Sequence, residues 1–222
     1  MSGSAAVRAR RSVRGFLDTP VDPGLIRELV ALAARAPSGG NLQPWHIDVV
    51  GGAALGRFKA EMAGKLAAGH KEPPAYAVYP PGLDDPYEAR RRAIGEAMYG
   101  HIGIPREDRP ARRAWFAQNF AFFGAPVALF CTVGRGMGPP QWSDLGMYLQ
   151  TLMLLIVEAG LAACPQECWA VYPDSVTRLL GTPEERMLFC GMAIGHEDTS
   201  VPANALRSER APVEEWASFR FD

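Results

Sequence analysis

The chain has 222 residues, 48% of them apolar, with 23 Lys and Arg set against 24 Asp and Glu for a formal net charge of -1. That length is enough to bury a sizeable core in one domain. The balanced charge gives no reason to expect a nucleic-acid surface or any partner held by bulk electrostatics.

From the N-terminus, Arg10-Arg11 resembles a twin-arginine export signal, but Gly15 to Pro23 holds no uninterrupted apolar run, so export is not expected. Asp22-Pro23 is a helix start, a capping side chain followed by a ring whose fixed φ suits the first turn. Leu25, Ile26, Leu29, Val30 and Ala33 then repeat at helical spacing. The helix should stop near Arg35, because Pro37 disfavours helix in the residue before it. His46 to Val50 reads as a strand closed by Gly51-Gly52. Leu55, Phe58, Met62 and Leu66 predict a second amphipathic helix, and Asp85-Pro86 opens a third that runs through Ala93 and Met98. The proline-bearing stretch between them, Gly69 to Asp84, reads as an exposed connection. Pro105 to Phe123 predicts another helix, and Val127 to Val133 a buried strand.

Gly134-Arg135-Gly136-Met137-Gly138 follows that strand but lacks the third glycine at the offset of a dinucleotide loop and runs into Pro139-Pro140, so it reads as a plain loop. Trp142 to Gly160 is a long helix, apolar nearly all round, expected to cross the interior as the hub of the fold. Gln150 and Glu158 keep Leu145 to Leu161 short of the about 18 uncharged residues of a membrane span, so none is expected. Leu161 to Cys164 is short and extended, Pro173 to Leu180 a short helix, and Met187 to Ile194 a final core strand. Strands separated by blocks of helices, without strict alternation, predict an α+β layered domain. His196 to Asp222 is polar, yet its Trp216, Phe219 and Phe221 would each bury roughly 150 to 250 Å2 if packed. A tail that reaches across to a partner subunit would bury them.

Cys131, Cys164, Cys168 and Cys190 show neither CxxC pairs nor zinc-ligand spacing, so they read as buried reduced thiols in a reducing compartment, the cytoplasm, with no metal. Arg10, Arg11, Ser12 and Arg14 place three cations and a hydroxyl within five residues. Guanidinium groups grip phosphate in bidentate geometry, although a solvated basic N-terminus would look the same. Pro37 to Gln43 offers close-approaching amides at Ser38, Gly39 and Gly40 and side-chain amides at Asn41 and Gln43. That mixture suits a flat heterocycle, or simply a hydrogen-bonded turn. In Cys164-Pro165-Gln166-Glu167-Cys168-Trp169 the backbone and polar side chains could meet a planar ring, while Glu167 alone could equally be a cap. Arg207 or Arg210 could complete a phosphate clamp or remain surface arginines. No GxSxG, HExxH, Walker A or paired-carboxylate motif supports hydrolase chemistry.

Taken together, Arg10 to Arg14, Pro37 to His46, Cys164 to Glu167, Gly191-Met192-Ala193-Ile194-Gly195 and the ending Arg210 to Glu215 resemble the FMN-dependent nitroreductase family, in order and over nearly the whole chain. The resemblance implies one FMN-binding domain over residues 1–222, a central, mostly antiparallel sheet flanked by helices, and a homodimer. FMN would lie in two equivalent sites at the interface, and the swapped tail, residues 196–222, would wrap the partner. By the same resemblance Arg10, Ser12 and Arg210 hold the phosphate, Arg11 contributes to that loop, and Arg14 lies near flavin N1 and the C2 carbonyl. Pro37, Ser38, Gly39 and Asn41 come from the other subunit, Gln43 beside them is also cofactor-binding, Pro165, Gln166 and Glu167 lie along the ring, and Gln118 or Asn119 contacts it. A cation near N1 favours two-electron chemistry, because reduction leaves negative charge there. The implied reaction is ping-pong: NADH or NADPH delivers hydride to N5, which carries it with no catalytic side chain, and a nitroaromatic or quinone then takes the place of nicotinamide. Proteins of similar type dehalogenate, oxidise rings or break down their flavin, and a non-catalytic FMN-binding module is a further possibility.

Overall fold

A computed structural model describes residues 1–221. Helix α1 (Gly3–Ala9), capped by Ser2 accepting from the Ala5 amide, buries only Ala6 and rests on a later helix. Its seven residues are too few to carry a periodic signal. Helix α2 (Pro23–Ala33) starts where the Asp22 carboxylate accepts from the Gly24 amide, and buries Ile26, Leu29 and Ala33. Strand β1 (His46–Gly51) leads into α3 (Gly52–Ala67), whose buried face is Leu55, Phe58 and Met62. Helix α4 (Tyr87–His101) follows Pro86.

The single helix expected from Pro105 to Phe123 is instead α5 (Arg109–Ala117), started by the Asp108 cap and closed by a 3-10 turn over Gln118–Gly124. Phe122 and Phe123 both take left-handed backbone, with φ of 54 and 52°. Both rings are buried in the core, at 0% and 6% exposure, and that burial offsets the strain. Strand β2 (Val127–Gly134), helix α6 (Pro139–Glu158), strand β3 (Ala162–Gln166), helix α7 (Pro173–Leu180) and strand β4 (Arg186–Gly195) complete the regular elements.

The strands form one sheet in the order β1-β2-β4-β3, every neighbouring pair antiparallel. Alternation along β2 splits the core in two. Leu129, Cys131 and Val133 meet α2 and α6 on one face; Ala128 and Phe130 meet Phe58, Phe122 and Trp169 on the other. A register shift after Cys131 leaves Phe189 as the extra residue on β4. Helix α6 is the expected hub, but it is not buried all round: Leu145, Tyr148, Leu152 and Ile156 face the core while Gly146 and Met147 remain exposed.

The segment expected to be an exposed connection is pinned at three points. The Glu72 carboxylate accepts from the Asp174 and Ser175 amides at 2.8 and 3.0 Å and from the Ser175 hydroxyl, capping α7 from a distance. The Ala75 amide donates to Ala170 O at 2.8 Å, and the Tyr76 hydroxyl donates to Phe189 O. Burial alone would push the Glu72 carboxyl up, but the Ser175 hydroxyl, the two amides and Lys65 together hold it below the ordinary 4.5. Its contribution to stability is therefore present above about pH 4.5 and is lost as pH falls through the lower folded value. Glu72→Gln should lower the urea midpoint clearly at pH 7 and progressively less as pH falls below 4.5 and through the lower folded value; an equal loss at every pH would contradict this.

Candidate functional site

The N-terminal motif is drawn into the sheet by its apolar residues. Val13 and Phe16 are buried, the Val13 amide donates to Ala163 O at 3.1 Å, and Ser12 bridges Ala163 in parallel register, so the segment runs along the free edge of β3. Arg14 is thereby delivered to a cavity of about 1900 Å3, walled by α4, by the end of β3 with the 3-10 turn after it (Glu167–Val171), and by the tail from Leu206 to Trp216.

Pro165, Gln166 and Glu167 form one wall. The Gln166 side chain is turned into the protein, where its Oε1 accepts from Trp169 Nε1 at 3.3 Å and its Nε2 donates to Asn119 O at 2.7 Å. Only its main chain is left to face a ligand. Glu167 opens the 3-10 turn, so its amide has no acceptor within that turn. Surrounding protein pushes the Glu167 carboxyl up even though its side chain opens onto the cavity. Asn119 borders this cavity, whereas Gln118 borders a separate pocket of about 470 Å3 behind Trp115 and Phe123.

Charge on the cavity is unevenly neutralised. Among the described residues, arginine ion pairs engage Arg11, Arg90, Arg91, Arg92, Arg112 and Arg178. Arg14, Arg207 and Arg210 keep bare positive charge on the cavity. Arg14 Nη1 reaches only Ser12 O at 3.4 Å, Arg207 Nη1 donates to Asn204 O at 2.9 Å, and Arg210 Nη1 to Ser208 Oγ at 2.7 Å. Arg11 is turned away, paired with Glu197 and donating from Nε to Asn204 O at 3.3 Å.

The structure thus brings Arg14, Pro165, Gln166, Glu167 and Arg210 to one cavity, with Arg207 beside them. Arg10 and Ser12 lie half-buried just outside it, Arg10 closing α1 through its amide to Ala6 O. Pro37, Ser38, Gly39, Asn41 and Gln43 do not border it. Their loop is fixed to α6, the Gly39 amide donating to both Asp144 carboxylate oxygens at 3.3 Å. Asn41 and Gln43 take positive φ of 56 and 49° around a turn closed by the Gln43 amide on Ser38 Oγ. Uncompensated guanidinium groups, a free amide at Glu167 and the flat faces of Pro165 and Trp115 are a donor set that fits a planar heterocycle carrying a phosphate. Asn204, Glu197 and Glu72 carried no signal in the sequence, because each acts on a segment far away along the chain.

A model described as the nitroreductase family matches residues 7–196. The chain belongs to this family. Among nitroreductase relatives, a 4-nitrobenzoate reductase of Pseudomonas putida is 36% identical over 217 residues, 97% of this chain and 94% of that one. A nitrobenzene nitroreductase of Ectopseudomonas oleovorans is 34% identical, covering 96% and 94%. The crystal structure of the FMN and NADPH-dependent nitroreductase NfnB from sphigopyxis sp. strain HMH superposes with a TM-score of 0.96 at 46% identity, covering 100% of both chains. The FMN-dependent NfnB of Mycobacterium smegmatis, solved with NADPH, gives 0.92 at 31% identity, covering 98% and 97%. The nitroreductase fold and the oxidoreductase class both agree with what the sequence motifs imply.

Proposed function

We propose that this nitroreductase-family chain binds FMN and uses NAD(P)H to reduce nitroaromatic or quinone-like acceptors by two electrons in a ping-pong cycle. The observation that carries this reading is the set of uncompensated arginines at the end of β3, inside a cavity large enough for cofactor and substrate. FMN, when bound, supplies the centre that accepts hydride from the nicotinamide and passes it to the acceptor.

The chain's own residues bind, orient and stabilise charge. Arg14, which lines the cavity, would offset negative charge at the N1 and C2 carbonyl region, held in place before the reaction begins. Arg210, with Arg10 and Ser12, takes the phosphate, while Arg11, neutralised by Glu197, keeps the loop in place. Pro165 and the main chain of Gln166 and Glu167, which line the cavity, would lie along the ring, and Asn119, which also lines it where Gln118 does not, would have access to it. No side chain is assigned as acid or base. Steady-state reduction of 4-nitrobenzoate at several NADPH concentrations should give parallel double-reciprocal lines; converging lines would refute the ping-pong order.

The same reading makes the protein a homodimer. Trp216, Phe219 and Phe221 are 69%, 65% and 90% exposed, and the Pro37 to Gln43 loop is largely exposed without bordering the cavity of its own chain. A partner would cover the first and use the second, with the tail, residues 196–222, crossing between subunits. Trp216→Ala combined with Phe219→Ala should shift light scattering towards the monomer mass at low concentration, and an unchanged dimer would refute the tail's part in it. Among the described residues no helix is long and apolar enough to cross a membrane. The four free thiols support a cytoplasmic location.

A further inference from the structure

Arg14 and Arg207 lie 193 positions apart in the chain, yet one buried residue bonds to both. Asn204 is 3% exposed, and its side-chain amide uses its full donor capacity. Oδ1 accepts from the Arg14 amide at 2.6 Å, and Nδ2 donates to Gly15 O at 2.9 Å and to Asp198 O at 2.8 Å. The opposite amide orientation would set NH2 against an N–H and oxygen against two carbonyls, so the network admits only this one. The main-chain carbonyl of Asn204 accepts in addition from Arg11 Nε at 3.3 Å and Arg207 Nη1 at 2.9 Å. The segments meet so closely that a Cβ on Gly15 would come within 2.5 Å of Val201 Cγ2.

We propose that Asn204 is a positioning residue for the cofactor site, clamping the Arg14 segment to the C-terminal tail and so setting where Arg14 and Arg207 stand around the flavin; this rests on the FMN reading above. Cations brought together repel one another, and a carboxylate clamp would hold them at the cost of cancelling their charge, as Glu197 does for Arg11. An uncharged amide holds the segment through its backbone and leaves both guanidinium groups free to act on a ligand. Aspartate would supply the acceptor but neither donor, and leucine would fill the space but leave three polar groups, the Arg14 amide and the Gly15 and Asp198 carbonyls, unpaired.

The test compares wild type, Asn204→Ala, Asn204→Asp and Glu72→Gln, the last serving as a destabilised control remote from the cavity. FMN affinity is read by titration of apoprotein, and the flavin midpoint potential by spectroelectrochemistry. Asn204→Ala is expected to raise the FMN dissociation constant about tenfold or more and to make the potential more negative, with wild-type far-UV circular dichroism. Asn204→Asp adds a negative charge beside Arg14 and should move the potential in the same direction. Glu72→Gln should lower the melting temperature and leave the potential alone. Should Asn204→Ala not fold, the near-isosteric Asn204→Asp decides. Folded Asn204 variants with wild-type affinity and potential, or with only the change shared by Glu72→Gln, would overturn the proposal. A wild type that takes up no FMN would overturn the FMN reading and this inference with it, whereas a flavin-bearing wild type beside unmoved variants overturns this inference alone.

Discussion

Arg14→Met should lower kcat for nitroaromatic reduction about 10²-fold, the cost of removing one preplaced donor from the point where charge develops. Methionine keeps most of the length and apolar volume of the stem, and the segment is anchored by neighbours that the substitution leaves in place: Val13 and Phe16 in the core, and the Arg14 amide on Asn204. Far-UV circular dichroism and melting temperature should therefore stay near wild type. FMN binding should weaken less than turnover, because Arg10 and Arg210 still serve the phosphate. Stopped-flow measurement of each half-reaction should place the loss in reduction by NADPH. A variant with wild-type kcat would remove Arg14 from the reaction.

Trp169→Ala should cost about 3 to 5 kcal/mol, the range for emptying a large aromatic site, and lower the melting temperature by about 10 °C. Trp169 is fully buried and stacks between Phe122 at 4.8 Å and Phe58 at 5.4 Å, with Phe120 and Phe130 edge-on at 5.2 and 5.4 Å. The sheet makes room for it at Gly191, where a Cβ would come within 2.3 Å of Trp169 Cδ1. The indole also donates from Nε1 to Gln166, so its loss frees the side chain that anchors the cavity wall. Trp169→Phe keeps a ring in the stack but loses this hydrogen bond and part of the indole volume, so it should cost less than Trp169→Ala, about 1 to 3 kcal/mol. Urea denaturation compares the two variants, and equal losses would show that the ring retained by phenylalanine contributes nothing to the packing.

The parts of the fold that were legible in the sequence are those whose cause is local. Asp22-Pro23 states its own helix start, Val127 to Val133 is apolar enough to be a central strand, and both are where they were expected. Phe122 and Phe123 were assigned to a helix because their left-handed backbone is imposed by the aromatic core they enter, not by their neighbours in sequence. Glu72 stands in a proline-rich stretch with no local signal, because the amides it caps belong to α7, about a hundred residues later. The site divides in the same way. Arg14, Pro165 to Glu167 and Arg210 stand in recognisable local motifs and do share a cavity. That Asn119 borders the cavity and Gln118 the smaller pocket depends on the turn that points them apart, and the Asn204 contacts depend on the tail being folded back against the Arg14 segment.

Whether this chain is a flavin-dependent two-electron reductase is decided by titrating the FMN-loaded protein with NADPH under anaerobic conditions and following its visible spectrum. The protein should be yellow, bleach with about one equivalent of NADPH or NADH per flavin and regain its colour when 4-nitrobenzoate is added. A protein that takes up no FMN, or whose bound FMN keeps its oxidised spectrum with both nicotinamides, would contradict it.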